Sequence, residues 1–155
     1  MRFIVAAVGK PRDRGLAAAI RDYEARAARY WPLHVCEVRE EPARGMGPDV
    51  VRAREAARVL GCAGAGARIV ACDADGELMT SVEFADWVRQ SRERAAHDVV
   101  FVLGGAYGLS ADVKARSAMR LSFSRWTLPH ELARLVLAEQ LYRAGTIGRG
   151  EPYHK

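Results

Sequence analysis

Apolar runs alternate with helix-period segments along the whole chain, and several of those runs contain no polar interruption. Ile69-Val70-Ala71-Cys72 and Val99 to Leu103 lack the in-out alternation of a one-sided strand, so both of their faces must be covered. Covered strands that alternate with helices restrict the chain to an α/β fold, a mostly parallel sheet flanked by helices. The pattern places strands over 2–8, 33–39, 67–73 and 98–103, with a short fifth near 120–123. Helices fall near 13–30, 48–60, 81–95, 110–118 and 130–145. Thr80 or Ser81 can cap the third helix, with Glu83 completing a capping-box-like start. No linker and no internal repeat breaks the pattern, and residues 1–155 read as a single domain.

A chain of 155 residues can bury most of its unfolded surface in one core. With 50% hydrophobic and 28% charged residues, it has a globular balance and not a disordered one. No apolar run approaches membrane-spanning length, and the opening Met1 to Lys10 reads as a first strand, too short for a signal peptide. Three cysteines, Cys36, Cys62 and Cys72, are odd in number and lack Cys-x-x-Cys spacing. Neither a disulfide framework nor a zinc site is expected from them, and a reducing cytoplasm fits best. The net charge of +5 favours a polyanionic partner only weakly, since many basic enzymes touch no nucleic acid.

Open parallel sheets bind ligands beyond the carboxyl ends of their strands. Three such ends look equipped here: Cys72-Asp73-Ala74-Asp75-Gly76, Leu103-Gly104-Gly105-Ala106-Tyr107-Gly108, and Leu121 to Trp126. Paired glycines allow a backbone to approach a ligand closely, although a tight strand-to-helix turn would use them equally well. The spacing is not a dinucleotide fingerprint, and the second cluster, Gly61 to Gly66, lies between helix and strand, the wrong order for phosphate binding. Pro129 suits the first position of a helix, and the extended residues before it can offer backbone groups to an adenine or a ribose. The helix from Leu132 to Ala144 is apolar over most of its circumference, so it needs cover on several sides, from its own core or from a second subunit as well. Glu139 and Arg143 stand four apart, an ordinary helical ion pair. The polar end, Pro152-Tyr153-His154-Lys155, carries groups able to act as a base, to orient a substrate or to stack on a nucleobase.

The Leu-Gly-Gly-x-x-Gly-Leu loop at 103–109, Thr127-Leu128-Pro129-His130, the run Leu135 to Ala144 and the Pro-Tyr-His end occur together. In that combination the chain resembles the bacterial RlmH family of ribosomal RNA methyltransferases, within the SPOUT superfamily. The likeness extends over the full length, through an Ala-Val-Gly-Lys first strand end and Arg-Ile-Val-x-x-Asp at 68–73. It implies an α/β fold with a C-terminal trefoil knot and a homodimer. It also implies methyl transfer from S-adenosylmethionine to N3 of a pseudouridine in 23S large-subunit ribosomal RNA, with the assembled 70S ribosome as substrate and no metal. Carried over by position, the cofactor pocket comprises Cys72, Gly104, Gly105, Ser124, Arg125, Trp126, Thr127, Leu128 and Pro129. Cys72 stands where relatives commonly have Leu, so a backbone or apolar contact is implied and a thiol role is not. Arg143, Tyr153 and His154 match the family's polar residues at the transferred methyl group.

Two rival readings remain within the sequence. A non-catalytic ribosome- or RNA-binding factor would keep the positive charge without needing the glycine loop, the Thr-Leu-Pro segment and the Tyr-His tail together. A flavodoxin-like or Rossmann-like nucleotide binder would need an N-terminal glycine fingerprint, and the chain has none.

Overall fold

A computed structural model describes residues 1–94 and 97–155. Strands β1 (Phe3–Val8), β2 (Leu33–Val38), β3 (Arg68–Leu78), β4 (Val99–Leu103) and β5 (Met119–Ser122) form one sheet in the order β2-β1-β4-β3-β5. Every neighbouring pair is parallel. Between the strands run α1 (Arg14–Ala27), α2 (Pro48–Leu60), α3 (Ser81–Glu93) and α4 (Ala111–Arg116), and α5 (His130–Gly148) closes the chain. The uninterrupted apolar runs lie in interior strands, 69–72 in β3 and 99–103 in β4, and every residue of β1 and β4 is buried.

Alternate side chains of those strands feed two separate cores. Phe3, Val5, Val99 and Phe101 pack with Ala27, Phe84, Val88, Leu137 and Leu141, so α1, α3 and α5 cover one face. Ile4, Ala6, Val100 and Val102 pack with Ala56, Val59 and Val113, so α2 and α4 cover the other. No described helix is long and apolar enough to cross a membrane.

Local signals set most element starts. Thr80 caps α3, its hydroxyl accepting from the Glu83 N–H while the Glu83 carboxylate accepts from the Thr80 N–H at 2.7 Å, the reciprocal pair expected there. The expected end of that helix at Ala95 lies outside the described residues. Asp13 and Ser110 cap α1 and α4 in the same manner. Pro129 departs from its expected place: it is the cap residue, extended at ψ 143°, and His130 is the first helical residue. Proline serves there because its carbonyl accepts the Ala133 N–H at 2.9 Å, while its missing N–H is not called upon.

Two larger differences involve tertiary contacts. Strand β3 continues to Leu78, past its expected end at 73, through the charged stretch Asp73 to Glu77. Hydrophobicity does not mark that extension, because its cause is β5: Leu121 pairs with Cys72 and again with Glu77, and the register shifts between them. The expectation of no disulfide is also overturned, since Cys36 and Cys62 are bonded. Their separation of 26 residues carries no local spacing signal; β2 and α2 bring them together. Cys72 is left as the free cysteine.

The last helix is fixed by polar groups as well as by packing. Buried Arg134, 5% exposed, places its guanidinium between Glu24 of α1 (2.8 Å) and Glu37 of β2 (2.7 Å). The Trp31 indole N–H donates to the Leu141 carbonyl at 2.7 Å. Gly145 admits the Tyr30 ring, which would lie 2.3 Å from a Cβ at that position.

At Gly76 the β3 extension meets β5 backbone to backbone: a Cβ there would sit 2.6 Å from the Leu121 carbonyl carbon. Backbone cannot swing aside as a side chain does, so Gly76→Ala should cost on the order of 1–3 kcal/mol and lower the melting midpoint by about 3–10 °C. Gly64→Ala, which meets nothing within 4 Å, should melt within about 2 °C of the parent in the same calorimetric scan. Equal midpoints for the two variants would contradict the tight crossing.

Candidate active site

The middle of β3 and the carboxyl ends of β4 and β5 open into one cleft of about 190 Å³. Cys72, Asp73 and Ala74 form one wall; Leu103, Gly104, Gly105, Gly108 and Leu109 form the second. Ser122, Phe123, Ser124, Trp126, Thr127 and Leu128 form the third, and His130 and Ala133 from the first turns of α5 complete it.

Glycine has a specific duty at two places in the turn after β4. A Cβ on Gly104 would lie 2.6 Å from the Gly108 carbonyl carbon, and Gly108 itself sits at φ +75°. The Gly108 N–H donates to the Gly105 carbonyl at 3.0 Å, which folds the turn back on itself. The loop after β5 is held by its serines: the Ser122 hydroxyl donates to the Ser124 carbonyl (2.8 Å), and the Trp126 N–H donates to the Ser124 hydroxyl (2.9 Å). Trp126 remains 81% exposed at this loop.

Of the residues expected in a cofactor pocket, Cys72, Gly104, Gly105, Ser124, Trp126, Thr127 and Leu128 line the cleft. Arg125 is exposed in the same loop, and Pro129 sits between that loop and α5; neither forms part of the walls. The structure adds Asp73, Leu103, Gly108, Leu109, Ser122, Phe123, His130 and Ala133. Asp73, Leu103, Gly108, Ser122 and Phe123 fall within the three strand ends that the sequence marks as equipped for a ligand, outside the pocket set implied by the resemblance. His130 and Ala133 carry no such signal, because only the way α5 is packed turns them toward the cleft.

Burial works to raise the Asp73 carboxyl, but Lys114 at 2.6 Å and the Asp75 N–H at 2.9 Å overcome it and hold the group below its ordinary range. Burial and the neighbouring Asp73 push the Cys72 thiol up, so it stays protonated and is no nucleophile. The walls are thus mostly apolar, with backbone groups and one ionised carboxylate. That donor set suits a nucleoside carrying a flat apolar base and a polar sugar.

The three remaining expected residues assemble elsewhere. Tyr153 donates its hydroxyl to the Glu139 carboxylate at 3.0 Å and lies 3.3 Å from the Tyr23 hydroxyl. Arg143 reaches the same Glu139 oxygen through Nε at 3.0 Å, and stands over the Tyr153 ring at 4.8 Å. Its Nη1 is 3.3 Å from His154 Nδ1. Burial, then Tyr23 and Glu139, push the Tyr153 phenol up, so it is a donor and not a base. The tail is therefore packed, with Tyr153 and His154 half-buried. None of these residues lines the cleft. Thirteen residues of α5 separate His130 from Arg143, about 20 Å of helix.

Residues 1–154 match the family described as "Predicted SPOUT methyltransferase". A relative from Gemmatimonas aurantiaca named "Ribosomal RNA large subunit methyltransferase H" is 58% identical, with 100% of both chains covered. One of the same name from Anaeromyxobacter dehalogenans strain 2CP-C is 46% identical, again over 100% of both. Among solved structures, a probable methylase family protein from Haemophilus influenzae Rd KW20 superposes with a TM-score of 0.58 at 13% identity, covering 99% of this chain and 70% of that one, which shows a shared fold. The chain belongs to the SPOUT methyltransferase family, among the ribosomal RNA large subunit methyltransferase H proteins.

Proposed function

We propose that this methyltransferase is a single-domain homodimer. It transfers the methyl group of S-adenosylmethionine to N3 of a pseudouridine in large-subunit ribosomal RNA, in the cytoplasm and on the assembled ribosome. The observation that carries the reading is the cleft between the 104–108 turn and the 122–128 loop, in a chain that matches its ribosomal RNA methyltransferase relatives from end to end. The backbone and apolar walls of that cleft fit the donor: Gly104, Gly105 and the Ser124–Leu128 segment would hold it, with Leu103, Leu109 and Phe123 against its base. The C-terminal trefoil knot belongs to the same proposal. Its support here is β5 lying against both parts of the shifted β3 register and within backbone contact of Gly76.

When bound, the donor supplies an activated sulfonium methyl, so the chain's own task is alignment and help at N3. The imide nitrogen becomes nucleophilic as its proton passes to solvent water, which places negative charge on the flanking carbonyl oxygens. Arginine has no acceptor, so at 3.3 Å its Nη1 donates to His154 Nδ1 and leaves the His154 proton on Nε2. His154 thereby presents an N–H to a carbonyl of the base. Tyr153 orients the tail through Glu139, and Arg143 keeps a positive charge beside it. The 20 Å of helix between cleft and cluster favours a shared site, with the cleft from one protomer and the polar tail from its partner. A monomer charge of +5 helps a dimer to dock on RNA but cannot select one nucleotide, so recognition rests on the shape of the ribosomal site.

Calorimetry with S-adenosylhomocysteine should detect binding to the wild-type protein; its absence would leave a non-catalytic RNA-binding role. His154→Ala should bind that compound within about twofold of wild type while turnover on 70S ribosomes falls on the order of a hundredfold. His154→Gln, which retains an N–H, should recover part of the loss. Unchanged turnover in His154→Ala would remove the residue from the mechanism. Mixing His154→Ala protomers in equal amounts with protomers carrying Gly104→Val in the cleft should restore about a quarter of wild-type activity, since half of the dimers are mixed and each has one intact site, and a mixture as inactive as either parent would contradict the shared site. Methylation of the isolated hairpin RNA should be poor beside that of 70S ribosomes, and comparable rates on the two substrates would refute recognition of the assembled particle.

A further inference from the structure

Two buried side-chain polar atoms lack a hydrogen-bond partner among the described residues, Glu55 Oε2 and His130 Nε2. Both belong to residues beside the same glycine turn. His130 lines the cleft with Gly104 and Gly105, while Glu55 rises from α2 beneath Gly105. Glu55 is 5% exposed, and Oε2 would stand 2.9 Å from a Cβ placed on Gly105. Its other oxygen is engaged, accepting the Glu41 N–H at 3.0 Å. Glu41 is in turn gripped by Arg54 and Arg58, and Arg58 also donates to the Arg39 carbonyl at 2.9 Å. The carboxylate is therefore held firmly by one oxygen, with the second aimed at the turn and left without a donor.

An unmet acceptor in the interior is costly, and such groups persist where a ligand or a moving segment satisfies them. Oε2 faces the turn at Gly105, which has no side chain to keep the backbone N–H groups of the turn from it. We propose that Glu55 is a positioning residue for the methyl-donor cleft: occupation of the cleft draws the 104–108 turn onto Glu55 Oε2, which then accepts a backbone N–H and fixes the turn around the ligand. The inference rests on the donor-binding reading above, and concerns how that site is organised. Glu55 itself touches no substrate.

The test compares wild type with Glu55→Gln, which keeps the shape but offers an N–H where the free oxygen would accept. S-adenosylhomocysteine affinity by calorimetry should fall about tenfold, and the KM for S-adenosylmethionine should rise similarly with kcat within about twofold. The ligand-free melting midpoint should stay within about 2 °C of wild type. Hydrogen exchange of the Gly105–Tyr107 amides should slow when S-adenosylhomocysteine binds the wild-type protein, and this protection should vanish in the variant. Wild-type affinity in Glu55→Gln, or wild-type amides whose exchange is unaffected by bound ligand, overturns the proposal. If the variant does not fold, the wild-type exchange measurement decides alone. Failure of the wild-type protein to bind the compound at all would instead sink the donor-binding reading.

Discussion

The backbone crossing of β5 against the β3 extension governs the site more than any side chain does. Leu121 meets β3 twice, at Cys72 and at Glu77, and the contact at Gly76 is close enough to exclude even a methyl group. With β5 held there, the loop that leaves it must face the end of β4, where the glycine turn stands. The cleft is thus a product of sheet register: its three walls are the continuations of three adjacent parallel strands. A slip of one residue in β5 would exchange the faces of Leu121 and Ser122, turning the buried Ser122 hydroxyl away from the loop it secures.

Helix α5 joins the cleft to the rest of the chemistry. Its first turn contributes His130 and Ala133 to the walls, its second turn is clamped by Arg134 between Glu24 and Glu37, and its later turns carry Glu139 and Arg143. A buried guanidinium between two carboxylates is a poor source of net stability but a strong penalty against misplacement, because any other seating leaves charges unpaired. Orientation is what a helix serving two places requires. The same helix is covered along one side by Tyr23, Tyr30 and Trp31, while Leu132 near its start stays exposed.

Much of this was legible in the residues, because strands such as Val99 to Leu103 announce burial on both faces and Thr80 with Glu83 announces a helix start. The glycine turn was also legible, since positive φ and close approach leave a compositional trace, and the 122–128 loop was marked by Pro129 at the helix entry that follows it. What escaped reading has no local signature. The β3 extension is charged and forms a strand only because β5 lies beside it. The Cys36–Cys62 bond depends on two elements meeting from 26 residues apart. Glu55 looks like any helix-surface glutamate until α2 is seen to carry it beneath Gly105, and the distance between cleft and tail exists only once α5 is a single rod.

That rod acts as a ruler. Inserting one residue between His130 and Glu139 would advance the tail cluster by about 1.5 Å and rotate it by about 100°, carrying Glu139, Arg143 and Tyr153 together away from Tyr23 while the loop side stayed put. Substitutions along α5 can be absorbed singly, but its length cannot drift, and any lineage carrying this arrangement is held to a fixed residue count across the helix.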